Sequence, residues 1–158
     1  MTTFESLGIE EGLLQSLETI GFVTPTPIQE KAIPVLLQGT KDFVGLAQTG
    51  TGKTAAFGLP LIQLIDKGQR IPQALIICPT RELCLQITTD LEKFGGKSKL
   101  SVTAVYGGTP INQQIRDLKR GTHVVVATPG RLIDLIERKA INLEDINYVV
   151  LDEADEML

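Results

Sequence analysis

Ala47-Gln48-Thr49-Gly50-Thr51-Gly52-Lys53-Thr54 decides how the rest of this chain is read. An apolar run, Phe43-Val44-Gly45-Leu46, comes before it, and a helical pattern begins at Lys53. A glycine-bearing loop between a strand and a helix is the setting in which a phosphate cradle has meaning. Closely spaced glycines let successive backbone N–H groups curve towards an anion, and the helix that follows adds its positive end. Lys53 would bring a point charge to the terminal phosphates, and Thr54 a hydroxyl for Mg2+. The general pattern opens with Gly; here that position is Ala47. A glycine-rich turn with no ligand is the bland alternative.

Outward from the loop, apolar runs alternate with helical spacings. Ile9, Leu13, Leu17 and Ile20 recur at helical spacing up to Gly21. Thr26 can cap a second helix with Pro27 in its first position, burying Ile28, Ala32 and Leu36 and ending near Gly39. Residues 53–67 form a third helix, with a kink expected at Gly58 and Pro60. Four further strands are expected at 74–78, 101–105, 123–127 and 147–151, five in all. Helices lie between them around Leu83-Ile87-Leu91-Phe94, Ile111-Ile115-Leu118 and 132–138. Continuously apolar strands alternating with helices predict an α/β protein with a parallel sheet covered on both faces.

In such a sheet the post-strand residues share one edge, where α/β proteins bind ligands. Here they are 47–54, Pro79-Thr80-Arg81, Tyr106-Gly107-Gly108, Thr128-Pro129-Gly130-Arg131 and Asp152-Glu153-Ala154-Asp155. A carboxylate ending a buried strand in a chain with a phosphate loop is a standard Mg2+ anchor. Asp152 would hold the ion, and Glu153 would orient or deprotonate a water. Two acids opening an exposed helix would also suit its dipole, although the apolar run before them favours the first reading. Phe22 can stack on a purine, and the Gln29 amide can pair with adenine N6 and N7; equally, Phe22 can be core and Gln29 solvated.

The chain has 158 residues, 42% hydrophobic and 22% charged, enough for one globular domain. Its net charge of −4 excludes a uniformly basic nucleic-acid binder, so any such contact is local or made by amides and hydroxyls. Cys78 and Cys84 match no zinc spacing and no disulfide framework, which points to a reduced, cytoplasmic compartment. His123, the single histidine, argues against His-based metal sites and reads as an ordinary strand residue. Neither a signal peptide nor an apolar run of membrane-spanning length is visible.

Six motifs in order resemble those of DEAD-box RNA helicases. Gly21-Phe22-Val23-Thr24-Pro25-Thr26-Pro27-Ile28-Gln29 resembles the Q motif, with Phe4 as its upstream aromatic. Residues 47–54 resemble motif I, and Pro79-Thr80-Arg81-Glu82-Leu83 resembles motif Ia, followed by Cys84 where Ala is usual. Gly107-Gly108 is similar to the GG motif, Thr128-Pro129-Gly130-Arg131 to motif Ib, and Asp152-Glu153-Ala154-Asp155 to motif II.

The resemblance implies a RecA-like P-loop fold, a three-layer α/β/α arrangement, with a Q-motif helical segment at 1–39 and the ATP-binding core at 40–158. It implies ATP and Mg2+ as cofactors. Phe22 and Gln29 would select adenine, supported by Phe4. Gln48, Thr49, Gly50, Thr51, Gly52, Lys53 and Thr54 would hold the phosphates, with Thr54 and Asp152 on the metal. Lys53, Asp152 and Glu153 are the catalytic candidates. Pro79, Thr80, Arg81, Gly107, Gly108, Thr128, Pro129, Gly130 and Arg131 would line an RNA track that touches the backbone without reading bases. Family members continue past motif II with a Ser-Ala-Thr strand and a second RecA-like domain that supplies arginine fingers. This chain is therefore expected to be a fragment, with an incomplete sheet in which 43–46 and 147–151 flank an unfilled position. Two functions stay open: the catalytic half of an ATP-dependent RNA helicase, or a nucleotide- and RNA-binding module without turnover.

Overall fold

The computed structural model describes residues 1–48 and 50–158. In chain order these form α1 (Glu11–Thr19), α2 (Pro27–Leu37), α3 (Lys53–Leu64), β1 (Ala74–Ile77) and α4 (Arg81–Gly95). Then come β2 (Val102–Val105), α5 (Ile111–Lys119), β3 (Val124–Ala127), α6 (Pro129–Glu137), β4 (Tyr148–Leu151) and a closing 3-10 turn, Ala154–Met157. Two bodies are distinguished: Met1–Ile65 with Asp90–Leu100, and Asp66–Thr89 with Ser101–Leu158. None of the described helices is long and apolar enough to cross a membrane.

The first body is helical. α1 buries Leu13 and Leu17 and stops where Gly21 takes φ +82°, a left-handed turn that glycine adopts without a Cβ penalty. α2 starts as its sequence predicts, with Thr26 extended at the N-cap and Pro27 in the first turn. Its buried face is Gln29, Ala32 and Ile33; Ile28 and Leu36 are only half-buried. The face differs from the expected one because Gln29 points inward, where both ends of its amide find partners. α3 runs as one helix through Gly58 and Pro60 and ends at Leu64, short of the expected 67. Its internal glycine has a spatial cause: a Cβ at Gly58 would lie 2.8 Å from Leu91 Cδ2. α2 packs along α3. Gln63 on α3 ties down the N-terminal segment, accepting from Glu10 N–H at 3.0 Å and donating to the Gly8 carbonyl at 2.9 Å.

The second body holds a four-stranded, all-parallel sheet in the order β2-β3-β1-β4. Ala74, Val124 and Tyr148 are in register, as are Ile77, Ala127 and Leu151. Residues in register share a face. Leu75, Val105, Val125 and Ala127 form a core with Leu132 and Leu135 of α6, and Ile111, Ile115 and Leu118 of α5 pack against it. On β4 the same face is bare, with Val149 59% and Leu151 57% exposed.

Among the described residues four strands form where five were expected. The run 43–46 forms no strand; Val44 is 91% and Leu46 97% exposed. A parallel strand exists only when neighbours take up its N–H and C=O groups, and apolar composition cannot supply a neighbour. β4, the other run expected to border an unfilled position, pairs with β1 on one side and stands at the edge of the sheet.

Candidate functional site

The loop at the start of α3 is built by two glycines with different reasons to be there. Gly50 and Gly52 both take φ +83°. At Gly50 a Cβ would meet nothing within 4 Å, so conformation alone selects glycine. At Gly52, the N-cap of α3, a Cβ would also strike the Gln29 amide and lie 3.1 Å from Thr26 Oγ1. The Thr51 hydroxyl donates to the Gln48 carbonyl at 2.6 Å, tightening the turn. Lys53 and Thr54 occupy the first turn of α3, where the helix dipole favours anions. Thr49 lies outside the described residues.

Gln29 is 1% exposed. Its Oε1 accepts from Thr26 N–H at 2.9 Å, the reciprocal arm of a capping box, and its Nε2 donates to the Gly52 carbonyl at 3.0 Å. The Q-motif-like turn and the glycine loop are thus bonded through one side chain. That leaves the amide one hydrogen and one lone pair beyond these bonds. Phe22 is 37% exposed and meets Phe94 edge-on, with centroids 5.5 Å apart. Phe4 is buried, and its carbonyl accepts from the N–H groups of Leu7 and Ile9.

In the second body the C-terminal strand ends bring four polar segments to one edge. After β1, Thr80 Oγ1 accepts from Leu83 N–H at 3.2 Å and caps α4, while Pro79 stays half-buried. The Arg81 guanidinium sits over the Tyr106 ring, 5.0 Å from its centre, a cation–π contact between the first two segments. After β2, Gly107 and Gly108 are exposed, and Gly108 has φ +84°. After β3, Thr128 N–H donates to the Val105 carbonyl at 3.0 Å and Pro129 opens α6, leaving Gly130 exposed. Arg131 turns inward: Nη1 donates to Gln114 Oε1 and Nη2 to the Thr109 carbonyl, both at 2.8 Å.

After β4, Asp152 is buried and its N–H donates to the Ile77 carbonyl at 2.9 Å. Glu153 has φ +52° and ψ +50°. For a side chain with a Cβ this left-handed conformation costs on the order of 1–2 kcal/mol. Strain of that kind concentrates at functional sites. Among the described residues no three His, Cys, Asp or Glu side chains are grouped to hold a metal. A hydroxyl such as that of Thr54 or a carboxylate such as that of Asp152 is, each by itself, a hard oxygen donor of the type Mg2+ takes, an ion that needs few protein ligands and completes its shell with phosphate oxygens and water.

Both cysteines are free and fully buried. Cys84 Sγ lies 3.2 Å from the Val126 carbonyl. The Cys78 thiol is pushed well above its ordinary range, first by its hydrogen bond with Cys84, then by burial and by the negative charges of Asp152 and Glu153. It stays protonated and unreactive.

Two glutamines escaped the sequence reading. Gln63 fastens the N-terminal segment to α3, and Gln114 sits where the second and third of these edge segments meet their helices. Only Gln114 left a trace in the sequence, as a polar residue beside Ile115 on the apolar side of α5.

A family profile described as DEAD/DEAH box helicase matches residues 26–158. The chain belongs to the DEAD/DEAH box helicase family. It is 52% identical over all 158 residues to the DEAD-box ATP-dependent RNA helicase CshA of Bacillus cereus, covering 30% of that protein. Against the helicase of the same name from Streptococcus pneumoniae it is 54% identical over 155 residues, 29% of that protein. The chain thus spans about a third of the length of these relatives. Among solved structures it resembles a DEAD box protein from the hyperthermophile Methanococcus jannaschii, with a TM-score of 0.94 and 41% identity over 99% of this chain and 43% of the other. A hypothetical ATP-dependent RNA helicase from Sulfolobus tokodaii gives a TM-score of 0.85 and 40% identity over 94% of this chain and 42% of the other. The expected α/β helicase fold of the RecA-like type is the fold of this chain.

Proposed function

We propose that this chain is the ATP- and RNA-binding part of an ATP-dependent RNA helicase that unwinds duplexes locally when joined to a second RecA-like domain. The observation that carries the reading is the pair of left-handed glycines, Gly50 and Gly52, leading straight into Lys53 at the start of α3. That backbone aims amides at a phosphate chain. Gln48, Thr49 and Thr51 would hold the phosphates with these glycines, with Lys53 as the charge on the terminal phosphates.

Thr54 and Asp152 would hold Mg2+, which when bound would neutralise charge developing on the transferred phosphoryl group. Glu153 orients or deprotonates the attacking water. Phe22 and Gln29 select adenine, and Phe4 supports their turn; the bond from Gln29 to Gly52 supports a link between adenine recognition and the phosphate loop. RNA binds through its sugar–phosphate backbone at Pro79, Thr80, Arg81, Gly107, Gly108, Thr128, Pro129, Gly130 and Arg131, with 2′-hydroxyls telling it from DNA. Residues 1–39 serve as the Q-motif segment and 40–158 as the ATP-binding core. Two buried free thiols support a cytoplasmic, reducing setting.

A second reading, binding without turnover, is favoured by the chain's share of its relatives, 30%. ATP hydrolysis, measured with and without RNA on this chain and on a longer polypeptide with a second domain, separates the two. The longer form should be RNA-stimulated, and this chain slower by ~10³-fold or more, the scale set by arginine fingers. If neither form binds ATP, the proposal fails.

A further inference from the structure

We propose that Gln114 is a positioning residue for RNA, holding the loop 106–109 and Arg131 as one hydrogen-bonded unit so that the Gly107 and Gly108 amides stay presented to the RNA backbone. The proposal rests on the RNA-binding reading given above.

Gln114 is 6% exposed, on a helix whose inner side is otherwise set by Ile111, Ile115 and Leu118. A leucine or methionine would satisfy that packing. Burying an amide there is costly unless every polar atom finds a partner. All of its bonds go to the candidate RNA edge. Nε2 donates to the Tyr106 carbonyl at 3.1 Å and to Thr109 Oγ1 at 3.2 Å, and Oε1 accepts from Arg131 Nη1 at 2.8 Å. Arg131 Nη2 closes the circuit on the Thr109 carbonyl at 2.8 Å.

The circuit grips both ends of a short arch. Tyr106 and Thr109 are its feet, and the two glycines are its crown. At either glycine a Cβ would meet nothing within 4 Å, and Gly108 is held at φ +84°. Among the described residues no atom comes within 4 Å of the Cβ positions of the crown, so its orientation is set from the feet. Arg131 spends one hydrogen of each Nη group inside this circuit, which fixes its guanidinium against the foot of the arch.

The test measures affinity for a single-stranded oligouridine by fluorescence anisotropy across a salt series, alongside affinity for a fluorescent ATP analogue. Gln114→Met should weaken RNA binding about tenfold, the scale of losing a buried hydrogen-bond network. ATP-analogue affinity and the slope of log affinity against log salt should stay the same, because no phosphate contact is removed. Gln114→Glu, which keeps the acceptor for Arg131 and loses the donors, should fall between. Gln113→Ala, one position away and exposed, should match the parent. Thr109→Val removes a single foot contact and should weaken RNA about threefold, which keeps the test alive if Gln114→Met does not fold.

Gly108→Val probes the RNA face independently, since valine is strained at that φ. If Gly108→Val weakens RNA while Gln114→Met and Thr109→Val do not, the positioning role is overturned and the RNA face stands. If none of the three weakens RNA, or the parent binds none, the RNA face itself falls and the role falls with it. A salt slope shallower by ~0.7 in Gln114→Met would show a lost phosphate contact, and would overturn positioning as the mechanism.

Discussion

Val124-Val125-Val126-Ala127 and Phe43-Val44-Gly45-Leu46 look alike as sequence, and the chain treats them in opposite ways. The first is β3, buried at all four positions between β2 and β1. The second forms no strand and leaves Val44 and Leu46 almost wholly in solvent. β4 stands between these extremes, paired on one side, with its alternate residues exposed. Strand formation in this chain follows the number of neighbours a run has, because backbone pairing and face burial arrive together.

Substituting β3 should break this contrast most severely. Val126→Asp would place an unpaired charge in a fully buried strand, costing roughly 4 kcal/mol or more, enough to unfold a marginal domain. Circular dichroism of the purified variant checks it; a folded variant with near-parent stability would show that β3 is not the centre of the sheet. Next in size is the supply of a neighbour for residues 43–46. A polypeptide extended through the Ser-Ala-Thr strand should melt several degrees higher and scatter less light, because open apolar edges invite association. Equal melting temperatures and equal scattering would contradict the neighbour rule.

His123 gives a smaller, pH-dependent effect. The ring is fully buried just before β3, with Nδ1 accepting from Ser101 N–H at 2.9 Å and Nε2 donating to the Lys67 carbonyl at 3.1 Å. Burial, with Arg70 and Lys67 adding positive charge and Asp66 opposing them, lowers its affinity for a second proton below that of a free imidazole. The unfolded chain therefore binds more protons as acid is added. The stability His123 contributes is complete above about pH 6.5 and declines as pH falls from there towards its folded value. Urea unfolding at about pH 7.5 and pH 5 should show this loss in the parent and less of it in His123→Gln. An identical acid loss in both would remove His123 as the cause. The smallest effect belongs to β4: Leu151→Asp, on an exposed position, should change stability by about 0.5 kcal/mol or less. A much larger loss would mean that the β4 face is covered in solution.

Most of the helix–strand order was legible because its signals are local: the Thr26-Pro27 start, the Gly21 stop, the unbroken apolar runs of β1 and β3. The glycine loop was legible because Gly50 and Gly52 occupy a pattern with one conformational meaning. What was hidden depended on partners distant in the chain. Nothing near Phe43 says whether a neighbour will pair with it, and nothing near Gln29 says that its amide is bonded to Gly52. Arg131 reads as an outward cation, and only the fold reveals Gln114 and Thr109 waiting for it.

In the proposed function the loop leading into α3 holds the phosphates of ATP. Titrating a fluorescent ATP analogue into the parent chain and into Lys53→Ala tests it most directly. The parent should bind saturably and Lys53→Ala should show no measurable binding, with unchanged circular dichroism. Equal affinity in the two proteins would contradict it.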